Sequence, residues 1–222
     1  MSALADLLAA IQRGDAKTAG DVLAANPDIA NARDDRGDSP LLIATYRGRH
    51  DLVRLLLDRG ARPSFFEACA LGLEADVRRH LREHPDAARS WSHDGWTPLH
   101  LAAYFGHRDT ALALLDAGAD ALAVSRNGEG NIAINAAAAG PRADLRPDIV
   151  RLLIDRGSPV DGRGSPRGHS PLHEAAHNGD VALARLLLDR GADRSLRTGD
   201  GQTARDIAVA RGRTELVPML GG

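Results

Sequence analysis

Apolar residues in this chain recur in short blocks of two alternating kinds. One kind is dense in alanine and leucine, as at residues 99–103 and 172–176. The other is spaced like Leu52, Val53, Leu56 and Leu57, a pattern that gathers on one face of a helix of 3.6 residues per turn. Glycines close both kinds. From the glycine ending the first block to the one ending the second the interval is 12 residues, as Gly48 to Gly60, Gly106 to Gly118 and Gly179 to Gly191. Weaker copies begin at LLAAIQRGD, FFEACALG, NIAINAAAAG and QTARDIAVARG, which brings the total to about seven repeats.

Each block predicts a helix–turn–helix. Thr97 or Ser170 can accept a bond from a free N–H at a helix start, and Pro98 or Pro171 suits the first turn, where its missing donor costs nothing. The helix runs about eight residues to Gly106 or Gly179, placed for the left-handed conformation that ends helices. A second helix follows and stops near Arg59-Gly60 or its counterparts. Alanine lines the first helix (Ala102, Ala103; Ala136 to Ala139; Ala175, Ala176), so neighbouring helices can approach closely. Such a unit cannot bury its apolar face alone and has to stack on its neighbours. Gly14 and Gly72, Pro27 and Pro85, and Pro40 and Pro98 are each 58 residues apart, the mark of a duplicated two-repeat block.

The segments TPLHLAAYFGH, residues 97–107, and SPLHEAAHNGD, residues 170–180, match the T-P-L-H-x-A-A-x-x-G pattern nearly residue for residue. The whole chain therefore resembles the ankyrin repeat family. That resemblance implies an all-α, ankyrin-type helix–turn–helix solenoid of about seven repeats, some degenerate, whose connectors project as short β-hairpin fingers. The approximate repeats are 1–32, 33–62, 63–91, 92–124, 125–163, 164–197 and 198–222, in a single array. In this family the fingers and first helices form a concave face that usually binds another protein.

Three repeats depart from the pattern. The third, from Pro63, follows Gly60 too closely for a full finger and carries Phe65-Phe66 where the others have Leu-His. The fifth replaces T-P-L-H by Ile132-Ala133-Ile134-Asn135 and has extra residues around Gly140 to Pro147, expected to form a loop. The seventh puts Pro218 in its second helix, which predicts a short or frayed end.

Composition narrows the function. Across 222 residues the net charge is -2, so no global field draws the chain to nucleic acid or an anionic membrane. Cys69 is the sole cysteine, which excludes an intramolecular disulfide framework and a cysteine-based zinc site; its alanine-like position predicts a buried small side chain. The opening MSALADLLAAIQRGD has no basic residue before its apolar run and makes a poor signal peptide, so a cytoplasmic location is expected.

His173-Glu174-Ala175-Ala176-His177 spells H-E-x-x-H, the spacing of a zinc hydrolase helix, and supplies the alternative reading of a zinc-dependent hydrolase. Against it, Asn178-Gly179 ends the helix at once and no third ligand motif follows. His173 also shares its position with His100, which the family uses for hydrogen bonds between loops. Arg36-Gly37-Asp38-Ser39 lies in a finger leading to a helix cap, His80 and His84 lie on a solvated face, and GRGSPRG, residues 162–168, lacks the Gly-Lys-Ser/Thr ending of a phosphate-binding loop and reads as a long finger. No catalytic, cofactor-binding or metal residue is assigned, and no cofactor is expected.

Only seven residues are Trp, Tyr or Phe, and five of them, Tyr46, Trp91, Trp96, Tyr104 and Phe105, fall where the family has variable finger and concave positions. Such side chains are over-represented among interface hot spots. Arg47, His93, His169, His177 and Asn178 occupy analogous positions and would form a polar rim. The expected function is a non-enzymatic, monomeric protein–protein interaction module.

Overall fold

The computed structural model describes residues 2–128, 130–163 and 168–221. It separates into two compact units, Met1–Glu67 and Ala68–Gly222. In the first lie α1 (Ala3–Arg13), α2 (Ala16–Ala25), α3 (Pro40–Tyr46) and α4 (His50–Asp58), and the division falls within α5 (Phe65–Leu71). The second holds α6 (Glu74–Glu83), α7 (Pro98–Tyr104), α8 (Arg108–Asp116), α9 (Ala133–Ala139), α10 (Arg146–Asp155), α11 (Pro171–Asn178), α12 (Val181–Asp189), α13 (Ala204–Ala210) and α14 (Val217–Leu220). Short 3-10 turns at Pro27–Asn31 and Pro85–Arg89 follow α2 and α6. The described helices pair in sequence as seven repeats.

Helix starts follow the sequence. The hydroxyls of Ser39 and Thr97 accept from the N–H of Leu42 (3.0 Å) and His100 (3.3 Å), and the Asp180 carboxylate accepts from Leu183 (2.9 Å). Such caps are each worth about 1 kcal/mol. In the N-terminal unit the core gathers Leu7, Ile11, Leu23, Leu41, Leu52 and Leu56; in the other, Leu99, Leu114, Ile134, Ile149, Leu153 and Leu172 are equally buried. Each such side chain contributes about 2 kcal/mol through burial. The alanines act as expected: α7 packs on α9, α9 on α11 and α11 on α13, with Ala102, Ala103, Ala137, Ala138, Ala175 and Ala176 sealed at the contacts. Cys69 is fully buried, and burial pushes its thiol pKa far up.

No strand occurs among the described residues. Three connectors instead end in the same tight turn. Asp34 donates to Asp38 and Gly37 to Asp34; Ser92 to Trp96 and Gly95 to Ser92; Thr198 to Gln202 and Gly201 to Thr198, all at 2.8–3.0 Å. The connector from α4 to α5, residues 59–64, has no such turn, as the sequence indicated. In GRGSPRG, residues 164–167 lie outside the described residues.

The irregular repeats show local substitutions. In the third, Ser64 caps α5 by accepting from the Glu67 N–H (3.3 Å), and the Glu67 carboxylate accepts from the Ser64 N–H (2.6 Å) and from the Ser39 hydroxyl. Glu67, not Phe66, thus takes the place that histidine holds elsewhere. In the fifth, residues 141–145 form the loop, but α10 begins at Arg146 and takes Pro147 into its first turn, where no donor is missed. Arg146, 9% exposed, pins the loop by donating to the Gly140 carbonyl (2.6 Å) and to Asp180 (3.1 Å). Pro218 also sits in a first turn, so α14 is short because it starts late, at Val217.

Gly95 has a steric reason to be glycine. Its φ is +83°, and a Cβ there would lie 2.7 Å from the backbone carbon of Arg126, whose N–H donates to the Gly95 carbonyl (2.8 Å). Gly191, with φ of +86°, has open space around it. Gly191→Ala is expected to cost about 1 kcal/mol from positive φ alone, and Gly95→Ala about 2 kcal/mol or more. Urea unfolding of the two variants checks this; equal losses would mean that the approach of successive fingers is not tight.

Candidate functional site

Two histidines set the frame. His100 and His173 are each 1% exposed. Nε2 of His100 donates to the Asn131 carbonyl (2.8 Å), which leaves Nδ1 to accept the Thr97 hydroxyl (2.7 Å). His173 repeats the arrangement, with Nε2 donating to the Leu196 carbonyl (3.1 Å) and Nδ1 accepting from the N–H (3.1 Å) and hydroxyl (2.8 Å) of Ser170. Asn135 fills this position in the fifth repeat and donates through Nδ2 to the carbonyls of Gly162 (2.8 Å) and His169 (3.1 Å). Each side chain ties a helix start to the next connector. Burial pushes the His100 pKa down to about 4, partly offset by the bond to Asn131; His173 is lowered by burial and by His169.

The zinc reading fails at its first ligand. Both ring nitrogens of His173 are engaged within the fold, and Glu174 accepts from Nδ1 of His169 (3.0 Å). Among the described residues no group of three or more His, Cys, Asp or Glu side chains is placed to hold a metal ion.

The residues singled out by sequence separate into groups. Tyr46 and Arg47, in the N-terminal unit, end α3 and are exposed, Tyr46 at 39%. Trp96, just before the cap of α7, lies half-buried with its ring 5.4 Å from His100, while Tyr104 and Phe105 at the other end of that helix make an edge-to-face pair at 5.0 Å. Trp91 has a packing role: its indole approaches the Val124 carbonyl (3.4 Å), and the Arg126 guanidinium lies 3.5 Å from its ring centre. It joins two successive connectors. His93 is exposed in the turn. Asn178 reaches the Ala138 carbonyl at 3.4 Å.

His169 and His177 meet at a cleft of about 270 Å³, lined also by Asp200, Gln202, Ile207, Ala210 and Arg211. The seventh-repeat residues had not been singled out, although the register shows them. With Thr203 aligned on Ser170, Gln202 falls on His169, Ala210 on His177 and Arg211 on Asn178. None of them is aromatic.

The sequence matches the family model for ankyrin repeats (3 copies) over residues 7–125, 65–163 and 134–221. The chain belongs to the ankyrin repeat family. It is 30% identical over 214 residues to a probable E3 ubiquitin-protein ligase, XBOS32, of rice (Oryza sativa subsp. japonica), covering 92% of this chain and 41% of the relative. Ankyrin repeat and SOCS box protein 16 of Mus musculus is 31% identical over 216 residues, covering 77% and 47%, and the mouse B-cell lymphoma 3 protein homolog 28% over 229 residues, covering 89% and 46%. The chain spans less than half the length of these relatives. Ankyrin repeats form protein–protein interaction modules, and no described helix of this ankyrin array is long and apolar enough to cross a membrane.

The buried histidines lead to two expectations. His173→Ala should cost about 1–3 kcal/mol, because Ser170 and the Leu196 carbonyl lose their partner, while His177→Ala should stay within about 0.5 kcal/mol. Denaturation midpoints decide it, and a His177→Ala loss as large as that of His173→Ala would contradict the assignment.

The pH response has a definite sign. His100 binds its proton less readily folded (pKa about 4) than unfolded (6.5), so the unfolded chain holds more protons between these values and stability falls as pH drops through that window. The loss saturates near about 3 kcal/mol. Stability measured from pH 7 to 4 should decline less steeply in His100→Gln than in the parent; parallel curves would show that His100 is not the source.

Proposed function

We propose that this ankyrin array is a non-enzymatic module, acting as a monomer in the cytoplasm, that binds a partner protein through its fingers and first helices. One observation carries the reading: Trp96, Tyr104 and Phe105 sit partly open at the two ends of a helix whose core side is closed by Leu99, Ala102 and Ala103. Stacking of α7 uses the small side chains, and the three large ones stay partly exposed. Large rigid aromatic surfaces that desolvate on contact concentrate binding energy, about 2 kcal/mol or more for each true hot spot. His93, His169, His177 and Asn178 complete the proposed surface of the second unit, with Trp91 supporting it from within the fingers, and Tyr46 and Arg47 are the proposed binding positions of the first. The names of the relatives, among them an E3 ligase and a SOCS box protein, are compatible with a repeat array that recruits a protein to a larger assembly.

Replacing Trp96, Tyr104 and Phe105 together by alanine should abolish capture of the native partner, identified by pull-down and mass spectrometry, while the helical circular dichroism and melting temperature stay near those of the parent. Full binding by the folded triple variant would place the interface elsewhere, and an unfolded variant would make the three side chains part of the core.

A further inference from the structure

The cleft between α11 and α13 has a small residue in its lining. Ala210 stands where Tyr104 and His177 stand in the better-formed repeats, and with Ile207, 6% exposed, it leaves an apolar floor. Around that floor, His177, Gln202 and Arg211 have no side-chain hydrogen bond to another described residue, and Arg211 is exposed on the C-cap of α13. Hydrogen bonds from such donors are stronger when the acceptor is ionised.

The surroundings are basic. Arg197 donates to the Gly201 carbonyl (2.7 Å) in the turn that carries Gln202, and Arg163 is drawn to the same turn by a bond to the Arg197 carbonyl. The carboxylates nearby are mostly committed: Glu174 accepts from His169 (3.0 Å), and Asp206 accepts from the Thr203 N–H (2.9 Å) and hydroxyl (2.8 Å). Asp200 alone lines the cleft without a side-chain partner among the described residues. Of the charged side chains lining the cleft Arg211 is the one arginine and Asp200 the one carboxylate, with His177 and Gln202 as further donors and Arg197 and Arg163 on the adjoining turn. A basic side chain would meet Arg211, whereas a carboxylate on an aliphatic stem would lay the stem on Ile207 and Ala210 and its charge against Arg211, His177 and Gln202.

Resting on the reading of the chain as a partner-binding module, we propose that this cleft is a socket for an acidic side chain, glutamate or aspartate, in an extended segment of the partner protein. A volume of about 270 Å³ admits one side chain and excludes a folded element.

The test uses the full chain and a displayed library of random dodecapeptides, followed by titration of the enriched peptides. Enriched peptides should share an acidic residue, and their affinity should fall about tenfold or more in Arg211→Glu and in the milder Gln202→Glu. Changing the shared acidic residue to lysine should restore binding to Arg211→Glu, and affinity should weaken with added salt. Melting temperatures of both variants, whose changes lie on exposed side chains, report whether they remain folded. Enriched peptides without a shared acid, binding unchanged in both folded variants, no rescue by the charge swap, or a library that yields no binder would each overturn the socket. Peptides that depend on Arg211 but bind the Trp96/Tyr104/Phe105 triple variant normally would sustain the socket and remove the aromatic surface from the interface; the reverse pattern would sustain the aromatic surface alone.

Discussion

A buried polar side chain at the third residue of the first helix in the fourth, fifth and sixth repeats is the constraint on which those joints depend. The connector after a helix pair has few apolar side chains of its own, and its carbonyls must find donors once the next helix covers them. His100, Asn135 and His173 supply those donors to Asn131, to Gly162 and His169, and to Leu196. The same side chain closes on its own helix cap when it is histidine, so one imidazole satisfies both ends of a joint. Its tautomer is then fixed, with Nδ1 as acceptor, and protonation would turn an acceptor into a donor facing another donor. Neutrality is thus built into the joint, which agrees with the low His100 pKa.

This arrangement frees the rest of the first helix for two other tasks. One side is given to stacking and tolerates only small residues, hence Ala102, Ala103, Ala137, Ala138, Ala175 and Ala176. The positions before the cap and at the helix end carry no stacking demand. They vary from aromatic in the fourth repeat (Trp96, Tyr104, Phe105) through small in the fifth (Asn131, Ala139) to polar in the sixth (His169, His177, Asn178). Under the proposed function, these are the positions that would read a partner's chemistry. Arg146 shows the complementary case: an irregular loop is tolerated because one buried guanidinium bonds both the loop carbonyl of Gly140 and the cap of α12.

Much of this was legible in the sequence. Helix pairing, caps and the missing finger after Gly60 followed from glycine spacing, hydroxyl–proline starts and apolar faces, all of which are local signals, while the burial of Cys69 and His173 followed from their places in the repeat and the family resemblance. The third repeat was misread at its histidine position, since FFEA aligned by similarity puts Phe66 opposite His100. Glu67 holds that position instead, and as a carboxylate it accepts from Ser64 and from Ser39 of the preceding repeat, a fact of bonding partners and not of residue likeness. Pro147 and Pro218 were read as breakers, yet both occupy first turns.

The sequence by itself determined the repeat, its family and the identity of the core, because each depends on contacts within about a dozen residues and recurs with a fixed period. The tertiary structure decided which large polar and aromatic side chains are used up internally. Trp91 is held by Arg126 and Val124 from the next connector, whereas His177, Gln202 and Arg211 border a cleft that they share with the small Ala210. Those outcomes hang on side chains more than thirty residues apart, or on a volume left unfilled between two helices, and no pattern along one chain records an empty space.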